Sequence, residues 1–195
     1  SGAGKLKLWQ SRWHHPGGEV DARGFTVEMT ATQCHVKRLR TQAGATTMKE
    51  VTIKATKASL GLASMHGCKI EADESLDIMF QNTQITASSM SAKQLYWLDS
   101  SKVASSCRDV KIKSDNWIVN KLGAKIPALN ISHAVGSPTD VTTFEGLSDS
   151  NAKVIFGHSL CLEGFKMSAT KQLTIELKSH IDAEKSHFVV GDLQQ

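Results

Sequence analysis

The chain has 195 residues, of which 40% are hydrophobic and 22% charged, with 23 Lys and Arg against 19 Asp and Glu. That length accommodates one domain with a substantial core, and no apolar run approaches the roughly 20 residues of a membrane-spanning helix, so a soluble globular chain is expected. The net charge of +4 favours anions in general and names no partner.

The opening stretch "SGAGKLKLW" lacks the apolar core of a secretory signal. Gly2, Ala3, Gly4 and Lys5 look like half a phosphate-binding loop, but no upstream glycine or strand precedes them, and Leu6 stands where Ser or Thr must hold magnesium. Residues 1–24, with "HHPGGEVDARG", read as an irregular N-terminal cap in which Trp9 and Trp13 cover one end of an apolar core. Residues 25–195 read as a single β domain.

From Phe25 onward the hydrophobic period is two. Phe25, Val27, Met29 and Ala31 alternate with polar residues, as do Val51, Ile53 and Ala55, then Leu76, Ile78 and Phe80, and later Leu173, Ile175 and Leu177, which predicts strands with one buried face. Between 51 and 117 a new strand segment begins roughly every 7 to 11 residues, the short regular spacing of an all-β fold. The best helical candidate, roughly 45 to 50, is interrupted by paired threonines. In "HVKRLR", Lys37, Arg38 and Arg40 read as a solvated strand face, and the absence of interleaved aromatics disfavours nucleic acid.

A repeat underlies this spacing. The phrase apolar-x-Ala-polar recurs at Met29–Thr32, Ile53–Thr56, Ile70–Asp73, Ile85–Ser88 and Met167–Thr170, and its first four alanines are Ala31, Ala55, Ala72 and Ala87. The steps between them suit the coils of a short β-solenoid, whose inward positions form ladders and whose alanines mark corners; a lone coil cannot bury its apolar face, so stability comes from stacking. A β-sandwich or jelly roll built from the same short strands is the competing all-β architecture. Only 14 Gly and 3 Pro are present, so the turns must be made by Ser, Thr, Lys and Asp. Residues 121–150 lose the alternation, hold two of the prolines and read as a long loop or insertion; the repeat resumes at 151. Phrases such as "VTIKATKASLGL" and "KIEADESLDI" resemble the repeats of bacterial surface β-solenoids, including filamentous adhesins and the spikes of contractile injection machines, which implies a surface or secreted location.

Candidate chemistry is sparse. In "IFGHSLCLEG" Ser159 sits in a partial nucleophile elbow, with Asp182 and His187 downstream in the right order, but Cys161 occupies the position that must be small and a strand-like pattern follows where a helix is required. Glu71, Asp73, Glu74 and Asp77 form the one acidic cluster. On one strand face, Glu71 and Asp73 with Asp77 nearby would suit calcium or the acid and base of a carbohydrate-cleaving site. Cys34, Cys68, Cys107 and Cys161 have no metal-ligand spacing and read as buried thiols, although two disulfides are possible. The histidines at 14, 15, 66, 133, 158, 180 and 187 lack the helical i, i+4 spacing of a zinc hydrolase. Asn130-Ile131-Ser132 is a glycosylation acceptor only in a eukaryotic secretory pathway. The expectation is therefore a non-catalytic scaffold or binding module without cofactor or metal, offering strand faces and the 121–150 loop to a protein partner or to itself. A carbohydrate-binding or carbohydrate-cleaving solenoid using Glu71, Asp73 and Asp77 is the alternative, and a Ser159 hydrolase stands behind it.

Overall fold

The structure is a computed structural model that describes residues 4–42, 44–99, 106–121, 129–132, 143–147, 151–156, 160–163, 166–177, 181–184 and 187–190; within these, the side chains at 82, 99, 120–121, 129–132, 156, 160–163, 166, 177, 181–184 and 187–190 are not described. It contains β1 (Gly4–Trp9), β2 (Arg12–Ala22), β3 (Phe25–Thr30), β4 (Gln33–Thr41), β5 (Thr46–Lys49), β6 (Thr52–His66), β7 (Lys69–Thr86), β8 (Ser89–Asp99), β9 (Ser106–Arg108) and β10 (Lys111–Lys121). There follow β11 (Leu129–Ser132), β12 (Thr143–Glu145), β13 (Ala152–Phe156), β14 (Leu160–Glu163), β15 (Lys166–Ala169), β16 (Leu173–Leu177), β17 (Ile181–Glu184) and β18 (His187–Val190). No helix occurs among the described residues, and 45–50, the best helical candidate, holds β5.

All pairings are parallel, and each coil of chain lies on the coil before it: the fold is a parallel β-solenoid. Breaks in register, between Glu71 and Ser75 for instance, cut the long strands into segments that form three ladders. Face one holds β1, β3, β5, the ends of β6 and β7, then β9, β11, β14 and β17. Face two holds the first halves of β2, β4, β6, β7, β8 and β10, then β12, β15 and β18. Face three holds the second halves of the same six strands, then β13 and β16.

The corner from face one to face two explains how the chain turns with little glycine. Gln10, Ala31, Glu50, Gly67, Ala87 and Asp109 all have left-handed backbones, with φ from 47° to 61°, and they recur once in each successive coil. Such a residue sets the bend, and in four of these six coils the side chain that follows it closes the turn, while Val51 and Val110 follow Glu50 and Asp109 in the other two. Ser11 donates to the Trp9 carbonyl at 2.9 Å, Thr32 to Thr30 at 3.0 Å, Cys68 to His66 at 3.2 Å and Ser88 to Thr86 at 2.8 Å. A short hydroxyl or thiol thus ties the turn through a carbonyl two residues back, and those of Thr30, His66 and Thr86 also accept a backbone N–H from the neighbouring coil.

At the corner from face two to face three the requirement is small size. Ala55, Ala72, Ala92 and Ser114 lie there, all buried, and Ala55 pairs with Ala72 while Ala92 pairs with Ser114. Gly146 continues the series: a Cβ on it would lie 2.9 Å from the Ala152 Cβ and 3.3 Å from the Ala169 Cβ. The repeated alanine phrase therefore marks two different corners. Ala31 and Ala87 are exposed left-handed residues, whereas Ala55, Ala72 and Ala169 are buried at the other bend. Of the intervals read from the sequence, only the step from Ala55 to Ala72 is a true coil; those from Ala31 to Ala55 and from Ala72 to Ala87 run from one kind of corner to the other.

Inward positions stack by type. Cys34, Ile53, Ile70, Met90, Ile112, Phe144 and Met167 line face two, and Met29, Met48, Met65, Ile85 and Cys107 line face one, all nearly inaccessible. In the middle of the solenoid the interior fills with aromatic rings. Phe80 to Trp97 and Trp97 to Trp117 are each 5.0 Å between ring centroids, and Trp117 stacks on Phe144 at 5.5 Å and 12°.

Residues 4–22 are more regular than expected, because β1 and β2 form the first described coil. Irregularity is confined to a bulge between His15 and Glu19, where Pro16 interrupts the pairing of β2 with β4. Trp13 is half-buried against the core, but Trp9 is 69% exposed and covers nothing. The 121–150 stretch is likewise interrupted by structure: β11 pairs with β9 and β14, and β12 with β10 and β15. Lys111 stacks on Ser89 below it and pairs with Thr143 above it, so the second of these coils is much the longer, and its extra chain is inserted around the two short strands. Residues 122–128 and 133–142 lie outside the described set.

Candidate functional site

Among the described side chains of faces one and two the outward positions are mostly polar, Trp9 and Phe25 on the first coils of face one being exposed exceptions, and adjacent coils are joined by exposed ion pairs. Glu28 holds Lys5 at 2.6 Å and Lys7 at 3.2 Å; Glu71 holds Lys54 at 3.4 Å; Glu145 holds Lys113 at 2.8 Å. Each is a solvent-screened pair worth little in stability, but opposite charges on neighbouring rungs favour the observed register.

Face three breaks this pattern. One outward column runs Asp21, Arg40, Ser59, Asp77, Tyr96, Ile118, Ile155 and Glu176, and the next holds Gly61, Met79 and Leu98. Tyr96 is 39% exposed, and Met79, Leu98, Ile118 and Ile155 are half-buried. Three outward apolar residues in succession down one column, Tyr96, Ile118 and Ile155, have no role in the core. The patch is bounded by two ion pairs, Lys57–Glu74 at 2.9 Å and Lys153–Glu176 at 3.1 Å. A shallow groove of about 360 Å³ crosses it, lined by Ser59, Asp77, Met79, Tyr96 and Leu98. The alternation that defines the strands carried this signal: Tyr96, Ile118 and Ile155 are apolar on the polar beat.

The acidic cluster is divided by the fold. Glu71, Asp73, Glu74 and Asp77 all lie on β7, and the register break between Glu71 and Ser75 puts Glu71 on face two and Asp77 on face three. Asp73 is exposed at the corner between them. Lysines from the neighbouring coil and the same strand take up two of the carboxylates. Lys69, then Lys54, holds the Glu71 carboxyl below the ordinary range, and Lys57 does the same for Glu74. Asp77 is the exception. Its carboxylate has no hydrogen-bond or ion-pair partner among the described residues, and burial pushes its titration upward. An acid with a raised folded-state pKa binds protons more tightly when folded, so its charge costs stability at neutral pH and the cost vanishes below the ordinary aspartate range. Asp77→Asn is expected to raise the denaturation midpoint of dilute protein at pH 7 and to leave it unchanged near pH 3; an unchanged midpoint at pH 7 would contradict the desolvation.

Ser159 lies outside the described residues, but strands β13 and β14 flank it, so the helix of a nucleophile elbow does not follow it. Asp182 belongs to β17 on face one and His187 to β18 on face two, and the side chains of both are outside the description. Among the described residues no group of three His, Cys, Asp or Glu is placed to hold a metal ion. His14 and His35 meet edge to face at 5.0 Å on face two.

Cys34, Cys68 and Cys107 are buried; Cys161 lies in β14 with its side chain outside the description. Burial raises the Cys34 thiol to about 11 and raises that of Cys68 as well. Because the thiolate is the reactive form, these three thiols are expected to resist a disulfide reagent in the native protein and to react at once in denaturant. Rapid native-state titration of all three would contradict this.

No protein-family model, curated protein or solved structure matches the chain. Among the described residues no helix is long and apolar enough to cross a membrane.

Proposed function

We propose that the chain is a non-catalytic binding or scaffold module whose working surface is face three, offered to a macromolecular partner. The continuous apolar run Tyr96, Leu98, Ile118 and Ile155 on the outward side of face three carries this reading. It is ringed by charged pairs in the manner of an interface core and rim. A rigid parallel frame holds those side chains in fixed register, so little ordering entropy is lost when a partner docks.

The carbohydrate reading has less support. Glu71 and Asp77 point from different faces, Glu71 and Glu74 are neutralised by lysines, and the face-three groove is mostly aliphatic, whereas a sugar site needs many hydrogen-bonding groups around its aromatic platform. A Ser159 hydrolase lacks the strand-to-helix elbow that strains and exposes the nucleophile.

Photo-crosslinking in the native cell tests the proposal. A photoreactive residue replacing Ile118 is expected to yield a discrete adduct, while the same residue replacing Lys113 on face two yields none. No adduct from face three, or equal adducts from both, would overturn it.

A further inference from the structure

Following the outward side of face three along the solenoid axis, the rungs present a definite order of chemistry. Lys57 is basic; Asp77 makes the next rung acidic. Tyr96 and Leu98 follow, then Ile118, two rungs apolar at their centre with the neutral Gln94 and Asn116 beside them. Lys153, beside Ile155, is basic again, and the last rung carries Glu176. The sequence is therefore positive, negative, apolar, apolar, positive, negative. Reversed, it reads negative, positive, apolar, apolar, negative, positive. Laid on its own reverse, every charged rung meets its opposite and the apolar rungs meet each other.

We propose that face three docks on face three of a second copy of this chain, about a two-fold axis that runs along the strands between the Tyr96 and Ile118 rungs. The inference rests on the assignment of face three as the working surface and names its occupant. Such an axis keeps each residue in its column and reverses the order of rungs, as an isologous dimer requires. Tyr96 then covers Ile118 of the second copy, and Asp77 lies over the rung of Ile155 and Lys153. Lys153 is two residues, about 7 Å, along the strand from Ile155, within reach of a flexible lysine stem. Asp77, the one member of its cluster that burial pushes upward in pKa and that lacks a partner among the described residues, gains a cation. Lys57 comes to the rung of Glu176 by the same symmetry. The intrachain pairs Lys57–Glu74 and Lys153–Glu176 become parts of two identical charge clusters flanking the apolar centre.

Size sets the strength. From the Lys57 rung to the Glu176 rung the patch is about 24 Å long at roughly 4.8 Å per strand, and a six-residue segment is about 20 Å wide. That is roughly 500 Å² on each copy, or about 1,000 Å² in all, the lower end for a specific interface. An interface of that size suits a reversible equilibrium between monomer and dimer.

Sedimentation equilibrium of the full purified chain tests this directly. A monomer–dimer equilibrium is expected, and Ile118→Glu should weaken it at least tenfold with circular dichroism and melting unchanged. Asp77→Lys and Lys153→Asp should each weaken it at least tenfold, and the double variant should recover it, since both swaps together restore opposite charge across the axis. A strict monomer at 100 μM, or dimers indifferent to Ile118→Glu, would overturn the proposal. So would a double variant weaker than either single one, because it excludes the antiparallel arrangement of solenoids. A monomer whose face three still crosslinks to another protein in the cell would sink self-association and leave the docking face standing; a face that crosslinks to nothing would remove both.

Discussion

Trp117→Ala is expected to lower the free energy of unfolding by about 3–5 kcal/mol, the range for removing a large buried aromatic side chain. Trp117 is fully buried and stands between Trp97, 5.0 Å away and edge to face, and Phe144, stacked at 5.5 Å. Losing it removes the contacts of both neighbours at once, and parallel strands held in register on both sides give the corner little room to collapse. Trp9→Ala, at a side chain 69% exposed, is expected to change stability by less than about 0.5 kcal/mol. Denaturant titration followed by circular dichroism compares the two. Equal effects would mean that the aromatic stack does not hold the middle of the solenoid together. Because each coil contacts only its neighbours, hydrogen exchange in Trp117→Ala should accelerate first in β10, β12 and β13, while β4 and β6 keep their protection.

Period-two alternation gave the all-β class, and the recurrence of a short phrase gave the stacking of coils, because both follow directly from which side chains face inward. Val27, Ile53, Leu76 and Ile78 were legible as core for that reason. Register was harder to see. The acidic residues of β7 alternate as though they shared a face, but the chain bends between Glu71 and Ser75, and nothing in "EADES" marks the bend except the small Ala72. The turn itself was hidden for a related reason. The left-handed residue need not be glycine: Gln10, Ala31 and Ala87 are followed by a hydroxyl that ties the turn and Glu50 and Asp109 by valine, and the five share no side-chain chemistry. Face three lay in plain view as Tyr96, Ile118 and Ile155, yet apolar residues on consecutive beats of a strand read first as core.

The alanines offer the sharpest test of this account, since identical phrases should respond with opposite sign. At Ala31 and Ala87 the backbone is left-handed, with φ of 48° at both, and a Cβ there costs about 1–2 kcal/mol that glycine avoids, less the roughly 0.5–1 kcal/mol of extra chain entropy glycine loses. Ala31→Gly and Ala87→Gly are each expected to stabilise the fold by about 0.5–1 kcal/mol, and Ala87→Val to destabilise it by about 1–2 kcal/mol, because a β-branched side chain fits that region worst. At the other corner space decides. Ala92 is 2% exposed in a column with Ala72 and Ser114, so Ala92→Leu must force neighbouring strands apart at a cost of about 1–3 kcal/mol, while Ala92→Gly gains nothing from relieved strain and loses packing. Denaturation midpoints for these variants settle the matter. If glycine destabilised Ala87 and Ala92 alike, the left-handed corner would not be what bends each coil, and the return of such a residue in every coil from Gln10 to Asp109 would need another cause.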